Sequence, residues 1–328
     1  MVSRAQGCLL GQLAGDSLGS LVEFQTPDTI LAEYPDGVRD LADGGVWGTL
    51  AGQPTDDSEM ALALARTLVE RRRYDPESAR QAYVTWLESS PFDCGNTVRR
   101  GLQGKPDPSS QANGALMRIS PLGIFGADFP AAQVAEWARQ DAELTHPHPV
   151  CGQANALFAI AIAYAVRHGC GPAELYRQVR RWAEESHVDA RLLNAVRAAA
   201  EVPPPDYLRQ QGWVLIAFQN ALWQLLHAAD LEEGVVDTVM RGGDTDTNAA
   251  ICGALLGAVH GRDAVPERWT ARLLGCRPEP GRPGVRRPRP CRYWPVDVLR
   301  LAERLVSAQD ARRSPSSGTC ASAPASNS

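Results

Sequence analysis

Apolar residues recur every three or four positions along most of this chain, which is the spacing of amphipathic α-helices. No stretch shows sustained alternation of apolar and polar residues, so the pattern predicts no strands. We therefore predict an all-α fold. The predicted helices lie at residues 58–73, 131–144, 171–185, 189–201 and 211–229, followed by a last amphipathic helix at 293–309.

The longest unbroken apolar run, at residues 156–166, is too short for a transmembrane helix. Such a helix needs about 20 apolar residues, so this run predicts a buried core helix and no membrane span. Residues 1–17 do not resemble a secretory signal. Eight cysteines are scattered without a C-x-x-C pair, which indicates reduced thiols in a cytoplasmic protein rather than disulfides or a zinc site.

The pattern changes near residue 275 and suggests where the main domain ends. Residues 275–292 contain five prolines and six arginines, and predict an extended, solvated linker; an anionic partner for it is the alternative. We expect a main domain over 1–274, a helix at 293–309 packed on it, and a disordered tail at 310–328.

Composition narrows the class of protein further. With 328 residues, 44% of them hydrophobic, the chain can build a sizeable core. Its formal net charge of -5 argues against broad nucleic-acid binding. A compact monomer is the expected oligomeric state.

Two acidic segments stand directly before apolar helices, GQPTDDSEMALALA (52–65) and GGDTDTNAAICGALLG (242–257). Helix capping explains either one alone, because Asp and Thr accept hydrogen bonds from free backbone N–H groups. Capping needs one or two residues, however, and each segment has at least three. The residues in question are Thr55, Asp56, Asp57, Asp244, Asp246 and Thr247.

Carboxylates crowded where water is scarce must bind either protons or cations. Mg²⁺ and Mn²⁺ take oxygen ligands, and threonine hydroxyls can join carboxylates around them. Four aspartates from two turns suit a pair of such ions. Gly242 and Gly243 would let the second turn bend tightly enough for its side chains to converge.

Two further stretches carry acidic residues with weaker signals. Asp16 and Glu23 lie in the glycine-punctuated segment LAGDSLGSLVEF; the alternative is a surface pair on an amphipathic helix. The glycines there imply close packing or a turn. Asp93 and Asn96 lie in FDCGNTVRRGL, where the alternative is a cap at a helix start.

Two polar stretches offer other kinds of ligand group. Asn113 and Gly114 precede a helix-compatible stretch, and exposed N–H groups there could hold a phosphate. His146 and His148 alternate with prolines in LTHPHP, which predicts extended backbone. For these two histidines, a ligand role and a plain surface loop remain equal alternatives.

In this order the segments resemble the ADP-ribosylglycohydrolase family, and within it the bacterial members that activate dinitrogenase reductase. The resemblance covers about residues 5–262, and its most specific part is the pair T-D-D and G-G-D-T-D-T. It rests on the segments GDSLGSLVEF (15–24), GQPTDDSEMALALARTL (52–68), DCGNTVRRG (93–101), NGALMR (113–118), LTHPHP (144–149) and GGDTDT (242–247).

The resemblance implies a compact all-α fold with two Mg²⁺ or Mn²⁺ ions in a cleft. It also implies hydrolysis of an N- or O-glycosidic bond at the C1″ carbon of ADP-ribose. By position, the implied metal ligands are Thr55, Asp56, Asp57, Asp244, Asp246 and Thr247. Glu23 matches an acidic residue at the cleft, and Asp93 matches one beside the scissile bond. The implied substrate-binding residues are Asn96, Asn113, Gly114, Met117 and, near the diphosphate, His146.

The favoured function is release of ADP-ribose from arginine side chains, because DCGN resembles the arginine-specific branch. A metal-positioned water would attack C1″, with Asp93 and Glu23 sharing the acid and base roles in an order that the sequence leaves open. The partner would be an ADP-ribosylated protein, with nitrogenase reductase as one candidate. The alternatives are a non-catalytic ADP-ribose-binding protein, or a hydrolase of another ADP-ribose linkage or of a nucleotide diphosphate.

Overall fold

The computed structural model describes residues 1–308 and confirms the all-α prediction. Over that range it contains fifteen α-helices and four short 3-10 helices, and no strand. In chain order the α-helices are α1 (Val2–Gly19), α2 (Pro27–Glu33), α3 (Asp56–Arg71), α4 (Pro76–Glu88), α5 (Asn96–Leu102), α6 (Ser120–Phe125), α7 (Ala131–Glu143), α8 (Pro149–His168), α9 (Pro172–Glu185), α10 (Ala190–Ala198), α11 (Val214–His227), α12 (Leu231–Met240), α13 (Thr245–His260), α14 (Glu267–Gly275) and α15 (Val298–Ser307). The 3-10 helices are Gly126–Asp128, Arg262–Ala264, Cys291–Tyr293 and Pro295–Asp297.

Helices α1 and α13 form the centre of the fold and pack antiparallel in backbone contact. A Cβ placed on Gly11 would lie 2.1 Å from the carbonyl oxygen of Gly253, and one on Gly253 would lie 2.1 Å from that of Gly11. A spacing of four keeps small residues on one helix face. The facing pairs are Gly7 and Gly257, Gly11 and Gly253, Gly15 and Ala249, and Gly19 and Thr245.

This pairing brings together one end of α1 and one end of α13. Because the helices are antiparallel, the carboxyl end of α1 lies beside the amino end of α13, where the Thr245 hydroxyl donates a 2.7 Å hydrogen bond to the Gly19 carbonyl. Gly15 and Gly19, which lower helix propensity, therefore serve close packing, one of the two outcomes that their presence implied.

Helix α8 contains the apolar run at 156–166 and is a core helix, as predicted. It begins at Pro149, whose fixed φ suits a first helical position, and ends before Gly169 at φ +69°. By length and composition alone it could cross a membrane, which is weak evidence because most of it is buried inside the fold.

The carboxy-terminal segment folds back onto the core. Arg289 is buried, and its Nη2 lies 2.7 Å from Glu59 Oε2 on α3. The prediction of a solvated linker is therefore wrong for Arg289, although Arg282 and Arg286 are exposed. Two 3-10 turns occupy the start of the predicted last helix, so α15 begins only at Val298. The predicted tail at 310–328 lies outside the described residues.

Candidate active site

The carboxyl end of α1 and the amino ends of α3 and α13 meet at a cleft of about 360 Å³. All of the predicted site residues line this cleft except Thr55 and Asp57, which are buried beside it. The predicted residues that line it are Glu23, Asp56, Asp93, Asn96, Asn113, Gly114, Met117, His146, Asp244, Asp246 and Thr247.

Three carboxylates from distant parts of the chain form an acidic cluster in the cleft. Oxygen atoms of Glu23, Asp93 and Asp246 all lie within 4.8 Å of one another. Burial, reinforced by the neighbouring Asp244, raises the pKa of Glu23 to about 8. Burial, reinforced by Asp56 and Glu23, raises the pKa of Asp93 to about 10. At neutral pH this cluster therefore holds protons unless a cation replaces them.

Asp16 is the residue that caps α3. Its carboxylate accepts hydrogen bonds from the backbone N–H groups of Thr55 and Ser58, each at 3.1 Å. The side chain of Thr55, the residue at the N-cap position, forms no capping bond. Capping thus does not explain the T-D-D segment. The alternative of a surface-facing Asp16 and Glu23 pair is also wrong, because both side chains are buried.

The first turn of α3 is therefore free to bind something else. Asp57 Oδ1 is buried and has no hydrogen-bond partner among the described residues, while its Oδ2 accepts from the Thr55 hydroxyl at 2.9 Å. Asp56 Oδ2 accepts from the Gly95 N–H at 3.1 Å. Burial raises the pKa of Asp56, Asp57 and Asp246, so a bound positive charge would relieve the cost of ionising them.

The turn before α13 depends on its two glycines, as predicted. Gly242 and Gly243 have φ values of +72° and +76°, which a residue with a Cβ rarely adopts. The Gly243 carbonyl accepts from the Phe24 N–H at 2.7 Å, and the Gly243 N–H donates to the Gln25 carbonyl at 3.0 Å. These bonds tie the turn to the segment that follows Glu23.

A set of hard oxygen donors is thus assembled around one end of the cleft, and it fits Mg²⁺ or Mn²⁺. Four of its carboxylates, Asp56, Asp57, Asp244 and Asp246, lie at the starts of α3 and α13, where the helix dipoles and N–H groups also favour negative charge. Asn113 Nδ2 donates to Asp244 Oδ2 at 2.7 Å and holds one of these carboxylates in place. The acidic cluster could therefore bind metal ions.

At the other end of the cleft, the structure differs from two expectations, one for Asn113 and Gly114 and one for the histidines. Asn113 and Gly114 do not start a helix: the Asn113 N–H donates to the Gly212 carbonyl, and α6 begins only at Ser120. The expectation of a helix start at Asn113 is therefore wrong, and the expectation that exposed N–H groups there hold a phosphate stays a prediction. The plain surface-loop alternative is wrong for His146, which is fully buried. His148 instead caps α8, its Nδ1 accepting from the Val150 N–H at 3.2 Å.

Comparison with known proteins identifies the family. A family model described as ADP-ribosylglycohydrolase matches residues 1–315. The chain belongs to this family. The match confirms the family resemblance and the glycohydrolase class of the enzyme.

Relatives in the family carry more specific names. ADP-ribosyl-[dinitrogen reductase] glycohydrolase of Rhodospirillum rubrum is 32% identical over 280 residues, covering 82% of this chain and 90% of that protein. ADP-ribosylarginine hydrolase Tri1 of Pseudomonas putida (strain GB-1) is 28% identical over 289 residues, covering 83% and 74%. A solved ADP-ribosylglycohydrolase-related protein complex superposes with a TM-score of 0.76 at 27% identity, covering 94% of this chain and 98% of that one.

The family resemblance did not point to four residues that line this glycohydrolase cleft or contact a residue of it. Trp47 Nε1 donates a 2.6 Å hydrogen bond to Glu23 Oε2, and the exposed Phe24, at φ +65°, lines the cleft beside it. Gln211 and Gly212 line it from the loop before α11. Phe24 adjoins a predicted residue, but nothing in the sequence around the other three signals a site.

Proposed function

We propose that this glycohydrolase releases ADP-ribose from modified arginine side chains, with two Mg²⁺ or Mn²⁺ ions as cofactors. The observation that carries the proposal is the acidic cluster of Glu23, Asp93 and Asp246, whose oxygens lie within 4.8 Å of one another. Asp93 comes from the D-C-G-N segment that resembles the arginine-specific branch. The name of the Pseudomonas putida relative, an ADP-ribosylarginine hydrolase, supports the same linkage.

The ions would be held by the hydroxyl and carboxylate oxygens at the starts of α3 and α13. Divalent cations supply Lewis acidity and lower the pKa of water, which hydrolysis at neutral pH needs. The unpartnered Oδ1 of Asp57 is the observation that best supports this assignment. The proposed ligands are Thr55, Asp56, Asp57, Asp244, Asp246 and Thr247.

The chain's own carboxylates would act on the breaking bond. In the hydrolysis, a water oxygen bonds to C1″ while the C1″–N bond breaks, and the departing guanidine gains a proton. Positive charge develops on the ribose in such a transition state. Glu23 and Asp93 would place negative charge beside it and handle the proton. The Trp47 N–H fixes the Glu23 carboxylate in its orientation, so little rearrangement is needed during the reaction.

The uncharged part of the cleft would hold the rest of ADP-ribose. Gly114 packs tightly in this wall, because a Cβ at this position would lie 2.9 Å from Val98 Cγ2 and 3.2 Å from His146 Cε1. Asn113 and Met117 lie in the same wall. At about 360 Å³ the cleft falls within the size range of small-molecule sites.

One assay tests the proposal against its alternatives. The protein is incubated with arginine-ADP-ribosylated and, separately, serine-ADP-ribosylated substrate, with Mg²⁺, with Mn²⁺ and with chelator. Release of free ADP-ribose from the arginine linkage only when a cation is present supports it. Cleavage of the serine linkage alone would assign another linkage, AMP release would indicate diphosphate hydrolysis, and binding without turnover would indicate a non-catalytic reader.

Three variants separate metal binding from the proposed chemistry. Asp246→Ala should abolish both turnover and cation binding, measured by calorimetry. Asp93→Asn should keep cation binding while lowering kcat by about 10²–10⁴-fold, the usual contribution of a proton-transferring side chain. Asp263→Ala, at an exposed carboxylate outside the cleft, is the matched control and should behave as wild type. A normal kcat in Asp93→Asn would remove Asp93 from the chemistry.

A further inference from the structure

Behind the uncharged wall of the cleft lies a buried arginine that the proposed chemistry does not use. Arg118 is fully buried; its Nε donates to Asp141 Oδ1 at 3.0 Å and its Nη2 to the Asp141 carbonyl at 2.8 Å. The Tyr83 hydroxyl donates to the other oxygen of Asp141 at 3.0 Å, and the guanidinium lies over the Tyr83 ring. These contacts fix the guanidinium so that its Nη1 points in one direction.

That remaining nitrogen reaches a threonine next to the cleft histidine. Arg118 Nη1 lies 2.9 Å from Thr145 Oγ1, and Thr145 Oγ1 lies 2.7 Å from His146 Nδ1. Over residues 1–308 these are the only hydrogen bonds of the Thr145 hydroxyl, and Thr145 is fully buried away from water. Arg118, Thr145 and His146 therefore form a three-residue chain of contacts.

The direction of each hydrogen bond in this chain follows from its first member. A guanidinium can only donate, so Thr145 Oγ1 accepts from Arg118. A hydroxyl has a single proton, and the only acceptor left for that proton is His146 Nδ1. If Nδ1 carried a proton instead, the hydroxyl proton of Thr145 would be buried with no acceptor, which is costly. His146 Nδ1 therefore accepts, and a neutral imidazole then carries its proton on Nε2.

The far side of the ring has no hydrogen-bond partner in the protein. His146 lines the cleft, and its Nε2 is buried with no hydrogen-bond partner among the described residues. A Cβ on Gly114 would lie 3.3 Å from this nitrogen, so the glycine lets the cleft wall pack closely against the ring without covering it with a side chain. An N–H in this position suits an acceptor oxygen of a ligand.

We propose that Arg118 and Thr145 are positioning residues that hold the proton of His146 on Nε2, so that the neutral ring presents a hydrogen-bond donor to the substrate. The ligand part of this inference rests on the proposed function, which places ADP-ribose in the cleft. The hydrogen-bond acceptor would be an oxygen of ADP-ribose. The tautomer itself follows from the protein's own contacts.

Burial and the charge of Arg118 favour the same state, because together they lower the pKa of His146 to about 3. A protonated ring would have to donate from Nδ1 as well, and so would leave the Thr145 hydroxyl without an acceptor. Only the neutral ring with its proton on Nε2 lets the Thr145 hydroxyl accept from Arg118 and donate to His146 Nδ1.

Nuclear magnetic resonance on ¹⁵N-histidine-labelled full-length protein with Mg²⁺ tests the tautomer directly. The chain has six histidines, and the His146→Gln variant identifies the signals of His146 by their loss. In the wild type we expect Nε2 to be protonated and Nδ1 to be the unprotonated, pyridine-type nitrogen. A proton on Nδ1 in the wild type would overturn the proposal without any further variant.

Two substitutions at Thr145 test the relay. Thr145→Val keeps the shape but removes the hydroxyl, so the ring should become a mixture of both tautomers. Thr145→Ser keeps the hydroxyl and should keep the wild-type signals. If Thr145→Val leaves both nitrogen resonances of His146 unchanged, Thr145 does not set the tautomer and the proposal fails.

Calorimetric titration with ADP-ribose tests the consequence for binding. Thr145→Val should weaken ADP-ribose binding about tenfold, equivalent to about 1.4 kcal/mol, while Thr145→Ser binds as wild type; equal affinities would overturn the ligand contact. The NMR measurement needs no substrate. If no ADP-ribose is released from arginine while His146 carries its proton on Nε2, the proposed function fails and the tautomer assignment stands. If ADP-ribose is released from arginine while His146 carries its proton on Nδ1, the proposed function stands and the tautomer assignment fails.

Discussion

At the scale of single residues, burial decides what the ionisable groups around the cleft can do. Burial raises the pKa of Glu23 to about 8 and of Asp93 to about 10, and lowers that of His146 to about 3. In each case the neutral form is favoured because charge is poorly solvated there. The carboxylates therefore gain from a bound cation, whereas His146 stays neutral and binds by donating a hydrogen bond.

His146 should make the protein sensitive to acid. Its pKa rises from about 3 to about 6.5 on unfolding, so the unfolded chain binds more protons below pH 6.5. Its contribution to stability is complete above pH 6.5 and is lost as the pH falls towards 3. Between pH 7.5 and 5.5, the wild type should lose about 1.4 kcal/mol relative to His146→Gln in urea unfolding.

The wild type must be compared with His146→Gln because the buried carboxylates change stability with pH in the opposite direction. Their raised pKa values stabilise the folded state at low pH, but both proteins share that effect. His168→Gln, at an exposed histidine at the end of α8, is the matched control and should follow the wild type. Parallel stability curves for wild type and His146→Gln would mean that His146 binds protons as readily in the folded state as in the unfolded chain, which would contradict its lowered pKa.

Individual site residues could be predicted where a local pattern was unusual. Asp57 and Asp246 stood out because a helix start needs fewer polar groups than these segments carry. The cap that frees Asp57 could not be predicted, because it comes from Asp16, on another helix. Trp47 was missed for the same reason: its contact with Glu23 joins two segments that only the tertiary fold brings together.

At the scale of secondary-structure elements, the contact between α1 and α13 determines the geometry of the cleft. Each facing pair along the contact contains at least one glycine, so the two backbones approach more closely than in ordinary helix packing, where axes lie about 8–10 Å apart. Glu23 follows α1, and Asp244 precedes α13. Any separation of the two helices should therefore move these carboxylates apart.

Gly253→Ala tests how strict this contact is. The new Cβ would lie 2.1 Å from the Gly11 carbonyl oxygen, so the helices must shift, and we expect a loss of about 3 kcal/mol or more in the free energy of unfolding. Gly275→Ala is the control, since a Cβ there meets nothing within 4 Å. Gly275 is the last residue of α14, and its replacement should be neutral or slightly stabilising. Equal effects of the two substitutions would contradict the packing described.

Breaking the buried ion pair between Arg289 and Glu59 should lower the free energy of unfolding by a comparable amount. Arg289→Met leaves Glu59 buried without its partner, and we expect a loss of about 3–5 kcal/mol in chemical denaturation. The double variant Arg289→Met with Glu59→Leu should recover most of the loss, because no charge is then buried. Arg286→Met, at an exposed arginine of the same segment, should change stability little; a loss as large as that of Arg289→Met would mean that the ion pair is not its cause.

Helices with a clear apolar stripe were predicted close to their observed bounds, as α7 and α9 show. Helix α1 was not predicted, because its glycines lower helix propensity and only their packing partner makes them favourable. The carboxy-terminal segment was taken for a solvated linker because proline and arginine are common in exposed loops. Its buried Arg289 depends on a carboxylate 230 residues away in the sequence.

At the scale of the whole molecule, the apolar core supports a cluster of carboxylates that is unfavourable by itself. Burial raises the pKa of Asp56, Asp57, Asp244 and Asp246 alike. Ionising them in the folded state is therefore costly, and the buried apolar core must offset that cost. A ligand that neutralises the cluster binds the folded chain only, and so stabilises the whole domain.

Divalent cations should therefore raise the melting temperature. A cation at a hundred times its Kd stabilises the folded state by about 2.7 kcal/mol, a shift of roughly 5 °C for a chain of this size. Calorimetry of the protein with Mg²⁺ or Mn²⁺ should show the shift, and chelator should reverse it.

Asp246→Asn should lose the shift and, with one charge fewer, should melt no lower than the wild type without cations. Asp263→Asn, at an exposed carboxylate, should keep the wild-type shift; a full shift in Asp246→Asn would place the cations elsewhere.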